Sequence, residues 1–320
     1  MGERRLKIGV SACLAGEEVR YDGQHKRDDF LVDVLGRHVE LVPVCPEVEL
    51  GLGAPREPMR LVAHGGQTRL VTIRTGRDLT LGMAAYAEDR VSRLVDEDLS
   101  GYVLKKDSPS CGMARVKLYA STEPGAAAAR AGVGVFADAL LRRFPHLPVE
   151  EEGRLRDPRR RESFIERIFA FHRMKVLFAG KWTLANLVTF HSAHKLALLA
   201  HSPAGYRELG LLVAQAKTLP RAELRRSYET GFMTALAARA TPGRHARVLL
   251  HMVGCFRDKL DAGARAELLG SVDDYRRGHV PLIVPVTLVR HHARRLDVTY
   301  LTAQTYLDPH PKEVMLRNHV

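Results

Sequence analysis

The chain has 320 residues, of which 45% are hydrophobic and 27% are charged, with only four cysteines. This length predicts two domains, and no apolar run reaches the roughly 18 residues that a membrane span needs. The amino-terminal segment MGERRLKIGV passes from charged residues directly into a strand-like pattern, which is not typical of a signal peptide. We therefore expect a cytoplasmic protein with reduced cysteines, which there serve more often as metal ligands or reactive groups.

The charges are divided unevenly along the chain. Residues 1–150 contain 21 Lys and Arg and 21 Asp and Glu, whereas residues 151–320 contain 28 and 16, so the whole net charge of +12 lies in the second half. That half also contains 11 of the 15 histidines. This pattern predicts a module for chemistry joined to a module that binds a polyanion. The alternative is a helical domain that is merely basic.

The first half alternates strand-like and helix-like segments. In chain order, the patterns predict a strand in LKIGVSA, a helix over 29–38, strands over 39–44 and 69–75, a helix in TLGMAAYAEDRVSRLVDEDL, a strand in GYVLKK, a helix in GVGVFADALLRRFP and an edge strand in LPVEEEGRL. This order predicts an α/β domain with a mainly parallel sheet over residues 1–153.

From residue 154 onward the pattern is helical. Asp157 and Thr183 are predicted N-caps, and Pro158 and Pro220 are predicted to begin helices. Residues 154–320 are therefore predicted to form an all-α domain of six or seven helices.

Two features of this helical half bear on metal binding. His191 and His194 share one helical stripe with leucines, and we expect them to pack or hydrogen-bond at a domain interface or an RNA surface, with metal chelation as the alternative. Cys255 lies in the apolar segment VLLHMVGCF and is expected in the core.

Three cysteines stand just beyond predicted strands: Cys13 after KIGVSA, Cys45 after VELVPV and Cys111 after GYVLKKDSPS. The carboxyl ends of parallel strands meet at one crevice, so these thiols are expected to meet in space. Three dispersed thiolates suit an iron–sulfur cluster with one open iron. A zinc site, a thiol nucleophile and purely structural cysteines remain alternatives, although zinc sites typically draw on close CxxC pairs, which this sequence lacks.

Polar residues surround these cysteines. Glu47 follows Cys45 by two positions and could move protons, while Ser108 and Ser110 could donate hydrogen bonds to a sulfur or to a substrate. An ordinary polar loop and a Ser-Pro-Ser turn are the alternatives. Further candidates for contact with a substrate or phosphate are Arg20, Tyr21, Asp22, His25, Lys26, Arg27 and Arg56.

The segments SACLAGEEVRYDG, PVCPEVELGLGAPREP and LKKDSPSCG resemble the bacterial thiouracil desulfidase (TudS-like) family in order and spacing. FIERIFAFHRMKVLFAG and VPVTLVRHHARR resemble the YbgA-like helical domain that is often fused behind it. The resemblance implies a 4Fe–4S cluster held by Cys13, Cys45 and Cys111 with one open iron. It also implies catalytic roles for Glu47 and for Ser108.

The same resemblance implies a tRNA 4-thiouridine desulfidase that releases hydrogen sulfide by non-redox hydrolysis, with tRNA gripped by the helical domain. No GxGxxG segment opens a helix, so no nicotinamide or flavin is expected. Two alternative functions remain: a desulfidase that acts only on free thiouracil or thiouridine monophosphate, and a non-catalytic RNA-binding metalloprotein.

Clustered arginines beside histidines suit folded RNA, and solvated helix faces are the alternative. The candidate tRNA contacts are Arg159, Arg160, Arg161, Arg294 and Arg295.

Overall fold

The computed structural model describes residues 5–314. The chain forms two compact units that divide between Arg156 and Asp157, three residues beyond the boundary expected from the sequence. The first unit is α/β and the second is helical, which confirms the predicted fold class.

The strands are β1 (Lys7–Ser11), β2 (Glu40–Val44), β3 (Met59–His64), β4 (Gln67–Thr72), β5 (Leu99–Leu104), β6 (Val116–Tyr119), β7 (Ala128–Gly132) and β8 (Val149–Glu151). The helices of the first unit are α1 (Ala12–Ala15), α2 (Pro46–Glu49), α3 (Thr80–Arg93) and α4 (Val135–Arg143). Those of the second are α5 (Pro158–Phe178), α6 (Leu184–His201), α7 (Pro203–Ala214), α8 (Arg221–Ala237), α9 (Pro242–Gly254), α10 (Ala262–Arg277), α11 (Ile283–Arg295) and α12 (Thr299–Thr302).

A four-stranded parallel sheet forms the centre of the first unit, in the order β2-β1-β5-β8. The side chains of Ile8 and Val10 in β1 are fully buried, and each such aliphatic side chain contributes roughly 1.5–3 kcal/mol on burial. The predicted edge strand is β8, at one end of this sheet. The parallel sheet expected from the sequence is therefore confirmed.

A second sheet was not expected. Its order is β4-β3-β6-β7, with antiparallel pairs at both ends and a parallel pair in the middle. The strand predicted at 69–75 is β4, which belongs to this sheet rather than to the parallel one. Leu61 of β3 and Leu70 of β4 are buried with Met83 of α3 in a separate apolar cluster. The apolar side chains of this hairpin are therefore buried without pairing to the parallel sheet.

The helix predicted over residues 29–38 is also corrected. The chain forms a π-helical turn at Phe30–Val34 and then a 3-10 turn at Leu35–Arg37. The Asp28 carboxylate accepts the Leu31 amide at 3.0 Å and begins the first turn. Leu31 and Leu35 are both buried, so the segment uses a wider turn followed by a tighter one to direct both leucines inward.

The caps expected in the helical unit are observed. The Asp157 carboxylate accepts the amide of Arg159 at 2.9 Å at the start of α5. Thr183 and Asn186 form a capping box at the start of α6. Seven long helices and the short α12 follow in the described part of the chain. No helix within residues 5–314 is long and apolar enough to cross a membrane.

His191 and His194 are buried in the helical unit, where they pack and hydrogen-bond as expected. The ring of His191 hydrogen-bonds the Tyr228 hydroxyl at 3.1 Å. The ring of His194 stacks on Phe190 with centroids 4.0 Å apart and accepts from Arg173 at 3.1 Å. Cys255, which was predicted in the core, is the C-cap residue of α9 and is partly buried against the apolar core cluster of this unit.

A close backbone approach at Gly134 predicts a stability effect. Its amide donates to the Gly112 carbonyl at 2.8 Å, and a Cβ there would lie 2.4 Å from the Ser110 carbonyl oxygen. Gly134→Ala should lower the free energy of unfolding by about 1–3 kcal/mol through overpacking. The measurement is the urea midpoint for unfolding of the α/β unit, which should fall. Gly82→Ala in α3, where nothing lies within 4 Å, is the control, and equal midpoints for the two variants would contradict the prediction.

Candidate active site

A cavity of about 390 Å3 opens at the carboxyl ends of β1, β2 and β5. Because β1 pairs in parallel with both neighbours, the three strand ends lie at one edge of the sheet. Cys13, Cys45 and Cys111 all line this cavity. Its volume falls within the range of about 300–1,000 Å3 that is typical of small-molecule sites.

The three cavity cysteines form no disulfide bond, and the pKa of each thiol is raised. Burial raises the pKa of the Cys13 thiol to about 11, an effect that Lys105 partly offsets. Burial, and then the nearby Glu47 carboxylate, raise the pKa of Cys45 to about 12. Burial likewise raises the pKa of Cys111 well above its ordinary value. Protonated buried thiols are weak nucleophiles, which disfavours a thiol nucleophile, whereas a bound metal displaces the thiol protons.

Glu47 presents a buried carboxylate at the same cavity, in the first turn of α2. Its Oε2 lies 3.5 Å from the Cys45 sulfur and 3.7 Å from the Arg56 guanidinium. Arg56 is itself anchored, because its Nη1 donates to the carbonyls of Val19 at 2.7 Å and Gly53 at 2.9 Å. The carboxylate is thus oriented by a cation that has little freedom to move.

Glu49, which the sequence did not single out, fixes the position of this short helix. Its Oε1 accepts the Cys45 amide at 3.2 Å. Its Oε2 accepts from the Tyr86 hydroxyl at 2.7 Å and from Nε of Arg90 at 2.9 Å, both on α3. A helix of four residues has little stability of its own, so α3 supplies the support that holds Cys45 and Glu47 in place.

Ser108 shapes the loop that carries Cys111. The Ser108 Oγ accepts the amides of Ser110 at 3.2 Å and Cys111 at 3.0 Å. Ser108 lines the cavity, and its hydroxyl hydrogen can still donate to a bound molecule. Ser110 is fully buried and outside the lining, and its Oγ has no hydrogen-bond partner in the described structure.

Two consecutive carboxylates at the end of β8 hold both ends of this loop. Glu152 accepts the Lys106 amide at 2.8 Å and the Lys105 ammonium group at 2.5 Å. Glu151 accepts the Met113 amide at 2.9 Å. Both carboxylates are buried. We call Glu151 and Glu152 the loop clamp, since they fix the segment on either side of Ser108 and Cys111.

The structure places the other candidate substrate contacts differently. Arg20, Tyr21 and Arg56 line the cavity. Asp22 lies outside the lining and holds Arg20 through two hydrogen bonds of 3.1 and 2.9 Å. Lys26 is exposed outside the lining, but its amide donates to the Cys13 carbonyl at 2.9 Å.

The basic residues singled out in the helical half lie in the second unit. Arg159, Arg294 and Arg295 are exposed, whereas Arg160 and Arg161 are half-buried. Arg160 pairs with Asp157 at 3.6 Å, and Arg294 with Asp308 at 3.4 Å.

Sequence reasoning missed the groups that support the site. Glu151 and Glu152 stand in LPVEEEGRL, where three consecutive acidic residues at the end of an edge strand were the available signal. Ser11, whose Oγ accepts the Lys105 amide at 3.0 Å, and Glu49 are equally important. Their partners are distant in sequence, so no local pattern reveals them.

The fold and the cavity define an α/β domain with a thiol-lined ligand site, followed by a helical domain. The family model described as 2-thiouracil desulfurase matches residues 8–152, and that of the DUF1722 family of unknown function matches residues 195–311. The chain is 33% identical to YbgA of Escherichia coli (strain K12) over 158 residues, covering 49% of this chain and 94% of YbgA.

Two further proteins are similar. YbbK of Bacillus subtilis (strain 168) is 31% identical over 110 residues, which cover 33% of this chain and 72% of YbbK. The solved structure of the 4Fe–4S-dependent thiouracil desulfidase TudS shares 36% identity, with 48% of this chain and 94% of that chain covered and a TM-score of 0.39. Residues 8–152 therefore form a domain of the 2-thiouracil desulfurase family, which is fused to a YbgA-like domain of the DUF1722 family.

The loop clamp predicts a change in local protection. Glu152→Ala removes the acceptor of the Lys106 amide, and hydrogen bonds to charged groups contribute about 1.5–3 kcal/mol. Hydrogen exchange at the Lys106 amide should therefore accelerate by roughly 10- to 100-fold. Glu150→Ala on the same strand removes a pair with Arg154 at 2.9 Å and an acceptor of the Glu151 amide at 3.1 Å. It removes no acceptor of the Lys106 amide and should leave exchange at Lys106 unchanged. Unaltered exchange in Glu152→Ala would remove Glu152 from the clamp.

Proposed function

We propose that this protein is a tRNA 4-thiouridine desulfidase, which converts 4-thiouridine to uridine and hydrogen sulfide. The observation that carries the proposal is the meeting of three thiols with the buried carboxylate of Glu47 at one cavity. The family description supplies the reaction class, since a 2-thiouracil desulfurase acts on a thiocarbonyl group of a pyrimidine ring. A 4-thiouridine carries the same group at another ring position.

The residues at the cavity fit a 4Fe–4S cluster better than a single zinc ion. Zinc holds its sulfur ligands about 2.3 Å from one centre, and among residues 5–314 no three His, Cys, Asp or Glu side chains are placed to hold one ion. Three separated thiols suit a cluster with one iron left open. Cys13, Cys45 and Cys111 would hold this cluster, on which the similar TudS depends.

A bound cluster would supply a Lewis acid for the thiocarbonyl sulfur. The chain's own groups account for the proton movements. Glu47, held by Arg56, takes a proton from the water that attacks the ring carbon. The Ser108 hydroxyl donates a hydrogen bond to the tetrahedral intermediate, since its oxygen already accepts two amides. The proton taken by Glu47 and the second proton of the water leave with the sulfur as hydrogen sulfide. One water is consumed and one hydrogen sulfide is released, so no redox change occurs and no nicotinamide or flavin is required.

The RNA part of the proposal rests on charge. Residues 1–156 contain 23 Lys and Arg and 23 Asp and Glu, whereas residues 157–320 contain 26 and 14, which gives a net charge of +12. Phosphate neutralisation dominates RNA affinity and weakens with salt, so the helical unit is the proposed tRNA-binding domain. Arg159, Arg160, Arg161, Arg294 and Arg295 are its first candidate contacts. Reduced thiols and an oxygen-sensitive cluster suit the cytoplasm.

Iron content tests the cluster. Alanine at Cys13, Cys45 or Cys111 should each cause loss of most of the roughly four iron atoms per chain, because two thiolates anchor a cluster poorly. The measurement is iron, sulfide and zinc analysis of anaerobically purified protein. Cys255→Ala is the matched control and should retain its iron. Full iron in Cys111→Ala, or stoichiometric zinc in the unaltered protein, would contradict the assignment.

Activity tests the chemistry and the substrate. Glu47→Gln keeps the size of the side chain but removes the base, so anaerobic desulfuration should slow by about 10²–10⁴-fold, with the cluster absorption unchanged. Glu17→Gln, an exposed carboxylate change, is the control. Free 4-thiouridine and thiolated tRNA are assayed side by side. Near-normal turnover by Glu47→Gln would contradict its role as the general base. Turnover of the nucleoside without turnover of tRNA would contradict the proposal that tRNA is the substrate.

A further inference from the structure

The helical unit carries a row of cations stacked over aromatic rings. The ammonium group of Lys175 lies 5.6 Å from the centroid of Phe171, and the Arg225 guanidinium lies 5.3 Å from that of Phe178. The closest pair brings Arg221 to 4.8 Å from the ring of Trp182. These contacts join the second half of α5 to the beginning of α8. We call the set the cation–aromatic patch, which consists of Phe171, Lys175, Phe178, Trp182, Arg221 and Arg225.

The rings of this patch are held rigidly from behind. Phe178 is 2% exposed, and Phe171 and Trp182 pack against the same apolar cluster. Phe178 and Trp182 meet edge to face, with centroids 5.0 Å apart and planes at 82°. Arg221 and Arg225 are exposed on the outer side. A guanidinium group that covers a fixed ring with one face keeps its other face available for stacking.

The chain around the patch has almost no negative charge. Residues 167–207 contain no Asp or Glu, and within this segment Lys175 belongs to the patch and exposed Lys181 precedes Trp182. The beginning of α8 adds exposed Arg226, and exposed Lys217 precedes it. Glu223 and Glu229 are the carboxylates of α8, and Glu229 pairs with Arg225 at 2.9 Å. The positive charge therefore exceeds the negative charge at this surface, which is complementary to a polyanion.

From the stacked cations, the fixed rings and the excess charge, we propose that the cation–aromatic patch is a contact surface for unpaired nucleotides of RNA. Guanidinium planes and aromatic rings stack on splayed bases, while Lys and Arg neutralise phosphates. An acidic protein partner would use the charge but not the stacked planes. This assignment rests on the proposed RNA substrate. It adds a second contact region, because Arg159–Arg161 lie at the opposite end of α5, about 17 Å along the helix axis from Phe171 and about 27 Å from Phe178 at 1.5 Å per residue.

The chain offers a direct probe of this surface, because Trp182 is its only tryptophan. The full-length protein is titrated with an unmodified tRNA transcript, so that no turnover occurs. Tryptophan emission is recorded together with the anisotropy of a fluorescein label on the RNA. We expect a saturable change in emission with the same midpoint as the anisotropy, and we expect this midpoint to rise steeply with salt.

Substitutions then locate the contact. Arg221→Gln combined with Arg225→Gln should weaken RNA binding by roughly tenfold and reduce the salt slope by about two, one for each lost phosphate contact. Arg276→Gln combined with Arg277→Gln is the matched control. It removes the same charge from α10, where both guanidinium groups pair with Asp273 at 2.7 Å. The control should bind RNA within twofold of the unaltered protein.

The outcomes separate this inference from the proposed function. The assignment of the patch is wrong if anisotropy reports RNA binding while tryptophan emission stays unchanged. It is also wrong if the two double variants lose the same RNA affinity. A DNA duplex of equal length that binds as tightly overturns the assignment to unpaired RNA. Desulfuration of free 4-thiouridine, measured on the same preparations, tests the proposed chemistry independently. If free 4-thiouridine is desulfurated but RNA changes neither the Trp182 emission nor the affinity of the Arg221 and Arg225 double variant, the proposed chemistry stands. Only the assignment of the cation–aromatic patch is then wrong.

Discussion

The parallel pairing of β1 with β2 on one side and β5 on the other is the constraint on which the site depends. Its register sets Ser11 opposite Val44, and Val10 opposite Val103. A slip of one residue would turn every side chain of a strand to the opposite face. The absence of a side chain at Gly9 protects this register, because a Cβ there would lie 2.2 Å from the ring of Tyr102 in β5. The three thiols line one cavity because this register brings the three strand ends to one edge of the sheet.

Strands with an unbroken run of buried residues were predictable from the sequence. Strands that form only by pairing with a neighbouring strand were not. The runs KIGV and GYVL are buried on both faces, so their strands were predictable. β7 has the sequence AARAG and is mostly exposed. Its extended form comes from pairing with β6, not from propensity. The same distinction holds at the site, where Cys13, Cys45 and Cys111 were predictable from strand ends. Glu49 instead depends on side chains of α3, and the loop clamp on backbone amides, that are far away in sequence.

Electrostatic interactions take different forms in the two units. At the site, opposite charges meet over short distances and are shielded from water, as in Glu47 with Arg56 and Glu152 with Lys105. Such pairs are only weakly screened by salt. Much of the excess positive charge of the helical unit is on exposed side chains, and ions in solution screen such charges effectively. Ionic strength should therefore act on the capture of a charged partner far more than on the arrangement of the thiols and their carboxylate neighbour.

The position of the loop clamp has a consequence for modularity. The match to the desulfurase family ends at residue 152, which is the second clamp residue, and α5 begins only at Pro158. The α/β portion thus contains every anchor of its own loop before the chain enters the helical unit. A gene fusion after this point would leave every residue that lines the thiol cavity, and both clamp residues, within the α/β portion. A junction placed even two residues earlier would remove both carboxylates and leave the loop untethered.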